Sequence, residues 1–123
     1  MTPTEYITAA IRTNTKLTTS DKSLAVHSDL IHAGIGITTE GGELMDAIKK
    51  FLFYRKQIDL TNVREELGDI LWYCALLCDY LGITFEEVMA LNIAKLRIRY
   101  PDKFSVEKAL NRNLEAERKV LES

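Results

Sequence analysis

The fold is decided by residues 34–73, which read GIGITTEGGELMDAIKKFLFYRKQIDLTNVREELGDILWY. This stretch holds two pairs of acids, Glu40 with Glu43 and Glu66 with Asp69, and the members of each pair are three residues apart. In a helix, residues three apart project from the same face, one turn above the other. Two such helices packed side by side would therefore bring four carboxylates together.

A helical wheel, drawn at about 100° per residue, places both acid pairs on apolar faces. The apolar residues that share those faces are Ile37, Leu44, Ala47, Ile48, Phe51 and Tyr54 in the first helix and Ile70, Tyr73 and Leu77 in the second. Most acidic side chains lie on the wet face of a helix, so this placement is unusual. Like charges in a partly dry bundle either take up protons or need a compensating cation.

The acids are predicted to hold a hard divalent cation. Mg²⁺ is the expected ion, because Mg²⁺ prefers carboxylate oxygens and keeps water ligands that a phosphate-bearing substrate can replace. Mn²⁺ is the expected substitute. The predicted metal ligands are Glu40, Glu43, Glu66 and Asp69. The structural alternative is a set of buried salt bridges from these acids to Arg64, Lys50 or Arg55.

Composition limits the class of protein. A chain of 123 residues with 46% hydrophobic residues, 28% charged residues and two prolines is typical of one helix-rich globular domain. A net charge of −2 argues against general binding of nucleic acid, and the longest apolar run, 70–78, is too short to span a membrane. Residues 1–5 lack the basic and apolar regions that are typical of a signal peptide, and Cys74 and Cys78 are interpreted as small buried hydrophobes that suit a reducing compartment. We therefore expect a cytoplasmic protein.

Capping and breaking signals predict an all-α fold. The predicted helix starts are Thr2-Pro3, Ser20 or Asp21, Asn62 or Asp59, Thr84 and Ser105. The predicted stops include Gly82 and Tyr100, which precedes Pro101. The last helix is predicted as one element over 106–121, ending at Leu121. Glycines at 34, 36, 41 and 42 each cost about 1 kcal/mol in a helix relative to alanine. A continuous or slightly broken helix is favoured there, and a loop over 34–38 is the alternative.

The helix after Thr84 carries polar groups on a partly apolar face. Asn92, Lys95 and Arg99 follow at spacings of three and four, which suits a site for a polyphosphate. The alternative is that Lys95 and Arg99 snorkel from a core helix or pair with the acids. His27 and His32 are interpreted as structural histidines.

Three motifs in this order resemble the MazG-like family of all-α nucleoside triphosphate pyrophosphohydrolases. The motifs are Glu40-x-x-Glu43, Glu66-x-x-Asp69 and Asn92-x-x-Lys95-x-x-x-Arg99-Tyr100-Pro101, and the similarity covers about 33–104. The resemblance implies a helical bundle completed by oligomerisation as a homodimer or homotetramer, and cleavage of (d)NTPs between the α and β phosphates to (d)NMP and pyrophosphate.

The resemblance also implies roles for single residues. The four acids would hold the metal and act as catalytic residues, one of them orienting the attacking water, while Asn92, Lys95 and Arg99, with Tyr73 as a weaker candidate, would bind substrate. We expect a single domain over 1–123, with a core of about 20–104 and a C-terminal helical arm over 105–123. The alternatives are a non-catalytic nucleotide-binding oligomerisation or regulatory module, and a related pyrophosphohydrolase for dUTP or phosphoribosyl-ATP.

Overall fold

A computed structural model describes residues 1–123 as seven α-helices and no strand, which confirms the all-α class. The helices are α1 Pro3–Ile11, α2 Lys22–Val26, α3 Ser28–Tyr54, α4 Leu60–Leu81, α5 Phe85–Arg99, α6 Val106–Leu110 and α7 Leu114–Leu121. They form two compact units, Met1–Ile83 and Thr84–Ser123. The boundary between the units thus precedes α5, whereas the sequence places the start of the C-terminal arm at residue 105.

The predicted capping signals are confirmed at most helix ends. Thr2 with Glu5 and Thr84 with Glu87 form complete capping boxes at the starts of α1 and α5. Of the two starts predicted for α4, Asp59 is the cap, because its carboxylate accepts hydrogen bonds from the backbone of the first turn. Helix α4 ends at Gly82, whose φ of 66° is the left-handed conformation that glycine adopts without steric cost.

Helix α3 runs without a break through all four of its glycines, so the alternative loop over 34–38 is wrong. The segment before it differs slightly from the prediction, because Asp21 caps a helix of only five residues, α2, and the chain bends at His27 before α3 begins. Gly36 shows why a poor helix former is acceptable here. A Cβ at this position would lie 2.1 Å from the ring of Tyr73, so the absent side chain lets that ring sit directly on the α3 backbone.

In the first unit α3 packs against α4, and α1 packs against α4. The apolar residues that are buried are mostly small: Ala10, Ala33, Ala47, Ala75, Leu76 and Cys78. Small side chains let helix backbones approach closely, but they leave the larger apolar groups outside. Leu52 and Phe53 at the end of α3 are 61% and 75% exposed. None of the seven helices combines the length and the hydropathy that a membrane span requires.

In the second unit α5 packs against α7. The single helix predicted over 106–121 is wrong, because the chain breaks after Leu110 and restarts at Leu114. Asn113 causes the restart, since its side-chain oxygen accepts a hydrogen bond of 3.0 Å from the backbone N–H of Ala116 and so caps α7. The break brings Glu117 into the interior of this unit, where it is 2% exposed.

Candidate metal centre and adjoining cavity

Three of the four predicted acids come together where α3 packs on α4. Glu40 from α3 and Glu66 and Asp69 from α4 each offer a carboxylate oxygen, and these oxygens all lie within 4.8 Å of one another. The i, i+3 spacing places Glu66 and Asp69 on one face of α4, as the wheel predicts. We call these three residues the acid cluster.

The four acids differ in solvent exposure, although the wheel places all of them on apolar faces. Glu66 is buried at 6% exposure and Glu40 is half-buried, whereas Asp69 and Glu43 are exposed. Glu43 stands outside the acid cluster and lines a separate cavity of about 530 Å³ together with Asp46, Lys50 and residues of the α3–α4 connection. A wheel gives the direction of a side chain but not the depth at which the neighbouring helix covers it.

No basic side chain forms a salt bridge with any member of the acid cluster. Of the cations considered as structural partners, Lys50 instead pairs with Asp46 at 2.6 Å, and neither Arg64 nor Arg55 forms a salt bridge. The pKa of Glu40 is raised, first by burial and then by the negative charges of Asp69 and Glu66. The structural alternative of buried salt bridges is therefore wrong for these acids.

The acid cluster fits a divalent cation. It offers carboxylate oxygens, the ligands that Mg²⁺ and Mn²⁺ prefer, at a place where no basic side chain of the chain pairs with the negative charge. One oxygen of Glu66 is already oriented, since the side-chain amide of Asn62 donates a hydrogen bond of 2.6 Å to it. The sequence reasoning used Asn62 only as a possible helix start and missed this contact, although its i, i+4 spacing to Glu66 is visible in the sequence.

A cavity of about 400 Å³ adjoins the acid cluster. Its lining residues are Thr13, His32, Glu40, Asp69, Trp72 and Tyr73. Tyr73 thus lies where a substrate-binding residue is expected, whereas Thr13 and Trp72 were not among the candidates. We call this space the aromatic cavity.

The N-terminal segment contributes one wall of the aromatic cavity through Thr13, and hydrogen bonds from Trp72 hold this wall against α4. The indole N–H of Trp72 donates hydrogen bonds to the hydroxyl of Thr13 at 2.8 Å and to the carbonyl of Ala10 at 3.1 Å. Tyr6 donates a longer hydrogen bond, 3.4 Å, to the carbonyl of Gly68, beside Asp69. No sequence motif links α1 to α4, so this wall is visible only in the folded chain.

The remaining predicted substrate-binding residues lie on α5 in the second unit. Asn92 is exposed, Lys95 is half-buried, and neither forms an ion pair or a side-chain hydrogen bond. Arg99 instead holds the carboxylate of Glu117 through two hydrogen bonds, of 3.0 Å from Nε and 2.7 Å from Nη2. Arg112 binds the same carboxylate at 2.6 Å. Arg99 therefore has a partner within its own unit.

Comparison with known proteins gives the family. A model of the MazG nucleotide pyrophosphohydrolase domain matches residues 33–104, which include α4, most of α3 and all of α5. The chain belongs to the MazG family. The matched residues contain the whole acid cluster and Asn92, Lys95 and Arg99.

A phage protein shares part of this MazG domain. The Gene 37 protein of Mycobacterium phage L5 is 31% identical over 74 residues, which make up 57% of this chain and 65% of that protein. The chain thus spans less than two thirds of the length of this relative, whose name states no activity. No solved structure matches the chain.

Proposed function

We propose that this MazG-family chain is a Mg²⁺-dependent nucleotide pyrophosphohydrolase that hydrolyses (d)NTPs between the α and β phosphates to (d)NMP and pyrophosphate. The observation that carries the proposal is the acid cluster, in which three carboxylates meet without a basic partner. Charge of this kind is costly unless a cation balances it, and family membership supports a nucleotide as the molecule that arrives with the cation.

Glu40, Glu66 and Asp69 are proposed to hold the metal, and Glu43, one turn from Glu40, completes the set of catalytic acids. When bound, Mg²⁺ neutralises charge on the phosphate oxygens and favours attack by water. Asn62 donates a hydrogen bond that orients Glu66. One of the acids would accept a hydrogen bond from the attacking water through a carboxylate oxygen that does not bind metal.

Asn92, Lys95 and Arg99 are proposed to bind the phosphates, and Tyr73 to contact the rest of the substrate. Lys95 forms no salt bridge within the chain, so its ammonium is available to an anion. Arg99 would have to bind a phosphate while it also holds Glu117, which makes Lys95 the stronger candidate.

A substrate panel with identification of products by mass tests the proposal. We expect ribo- and deoxynucleoside triphosphates to give the monophosphate and pyrophosphate when Mg²⁺ or Mn²⁺ is present. The panel includes dUTP and phosphoribosyl-ATP, because a specialised substrate would give high turnover with one of these alone. Release of orthophosphate would show a different reaction, and calorimetric binding of nucleotide without turnover would show a non-catalytic nucleotide-binding module.

We further propose that the chain assembles as a homodimer or homotetramer and acts in the cytoplasm. The support for self-association is the apolar surface that one copy leaves exposed, since Met45, Leu52 and Phe53 on α3 and Leu67 on α4 are each more than half exposed. Mass photometry over a range of concentrations tests this. A monomer at every concentration would contradict it.

A further inference from the structure

We propose that the aromatic cavity binds the nucleoside part of the substrate and that His32 reads the base by hydrogen bonding. This inference rests on the proposed function, because it takes the acid cluster as the place of the phosphates. It adds that residues of α3, α4 and the segment after α1 of a single chain form the binding site for the base.

The lining of the aromatic cavity combines two chemically different groups, the carboxylates of Glu40 and Asp69 and the rings of His32, Trp72 and Tyr73. The rings are displaced from the acids along the helices, since Trp72 and Tyr73 follow Asp69 by about one turn of α4 and His32 precedes Glu40 by about two turns of α3. A nucleotide has the same division, with charged phosphates at one end and a flat, uncharged base at the other. Aromatic side chains bind bases because every base has a face that can stack on a ring.

The three rings contact one another edge to face and do not form a closed stack. The ring centroids of His32 and Tyr73 are 5.4 Å apart at 76°, those of His32 and Trp72 are 5.8 Å apart at 66°, and those of Trp72 and Tyr73 are 4.9 Å apart at 86°. Edge-to-face contacts hold each ring in place through its neighbours. The rings thus form a preformed wall.

Contacts with α1, α3 and the segment after α1 fix this wall further. The Tyr73 ring sits on Gly36, where there is no room for a side chain, and the indole N–H of Trp72 is held by Thr13 and Ala10. A wall that is already ordered binds a ligand without the entropic cost of ordering its side chains. It also leaves Trp72 and Thr13 with little hydrogen-bonding capacity for a ligand.

Two polar groups of the wall form no hydrogen bond, the hydroxyl of Tyr73 and the imidazole of His32. The His32 side chain is half-buried and lines the cavity, and both of its ring nitrogens are free to bind. His27, five residues earlier, differs, because its Nδ1 lies 2.6 Å from the hydroxyl of Tyr80. An imidazole offers one donor and one acceptor when neutral, and the edge of a base offers the same groups.

The first test compares His32→Ala with a matched control, His27→Ala, which removes a histidine that does not line the cavity. Hydrolysis is measured for the four dNTPs and for deoxyribose 5′-triphosphate, which has no base. We expect kcat/KM of His32→Ala to fall about ten- to a hundredfold for the preferred dNTP and to be unchanged for the base-free triphosphate. Equal losses on both substrates would show a structural role and overturn the proposal.

The second test does not need hydrolysis. Trp72 is the one tryptophan of the chain, so its fluorescence reports on the aromatic cavity. We expect nucleoside monophosphates, added in the presence of EDTA, to change this fluorescence saturably in the wild type and His27→Ala, and His32→Ala to need at least tenfold more ligand. If the wild type shows saturable binding but hydrolyses no triphosphate, the proposed function fails and this inference stands. No saturable change, or the same affinity in His32→Ala, would overturn the inference.

Discussion

Two buried glutamates, one in each unit, have opposite surroundings. Glu66 is 6% exposed and lies among Glu40 and Asp69, with only the neutral amide of Asn62 as a hydrogen-bond donor. Glu117 is 2% exposed and is bound by two guanidinium groups, those of Arg99 and Arg112. The buried charge of Glu117 is thus balanced by basic side chains of the chain, whereas that of Glu66 is not.

The pKa shifts follow the same division. The two arginines lower the pKa of Glu117 to about 2, whereas burial and neighbouring acids raise the pKa of Glu40 beside Glu66. A charge that the fold itself neutralises contributes to stability. Charges that the fold leaves without a basic partner are balanced when a cation binds, so this contrast supports the proposal that the acid cluster is the functional site and that Glu117 is a structural residue.

The largest expected effect is on activity at the acid cluster. Asp69→Asn removes a metal-binding charge but keeps the size of the side chain, so we expect kcat/KM to fall by about 10³-fold or more. Circular dichroism should show an unchanged fold. Asp46→Asn is the matched control, because Asp46 pairs with Lys49 and Lys50 outside the acid cluster. Comparable losses in both variants would contradict the assignment.

The next largest effect is on the stability of the second unit. Glu117→Gln leaves the guanidinium groups of Arg99 and Arg112 without their anion, so Tm should fall by several degrees. Glu115→Gln on the same helix is the control, since Glu115 is exposed and forms no salt bridge. An unchanged Tm in Glu117→Gln would mean that the two arginines do not stabilise this unit.

The pH dependence of that stability has a defined sign. Because the pKa of Glu117 is about 2 in the folded chain and near 4.5 when unfolded, its contribution is complete above about pH 4.5 and is lost as pH falls towards 2. The difference in Tm between wild type and Glu117→Gln should therefore be large at pH 7 and shrink below pH 4.5. A difference that stays constant down to pH 2.5 would point to packing, not charge.

The smallest effect is a gain in stability at the acid cluster. The raised pKa of Glu40 means that its ionised form destabilises the fold, and this destabilisation grows as pH rises through the interval between its unfolded and folded pKa. Glu40→Gln should thus raise Tm slightly at pH 7 without metal and lose this advantage at pH 4. With Mg²⁺ added, the wild type should gain more in Tm than the variant does. A lower Tm for Glu40→Gln in EDTA would contradict the account.

Much of the local structure follows from the sequence. The capping boxes at Thr2 and Thr84 and the stop at Gly82 depend on residues within one turn of each other, and the structure confirms them. The continuous helix favoured through the glycines of α3 is also confirmed, and the packing of Tyr73 from α4 onto Gly36 gives the tertiary reason for a small residue there. The error over 106–121 is local, because the capping signal of Asn113 divides the predicted helix into α6 and α7.

The sequence by itself determined the helical class, the family resemblance and the spacing that puts Glu66 and Asp69 on one face, because these depend on helical periodicity and on residue type. Only the tertiary structure decided that Glu40 joins them while Glu43 stays outside, that Arg99 is held by Glu117, and that His32, Trp72 and Tyr73 share a cavity. The physical reason is that depth of burial and the choice of a charge partner depend on how helices far apart in the chain pack, and the pattern along one helix does not contain that information.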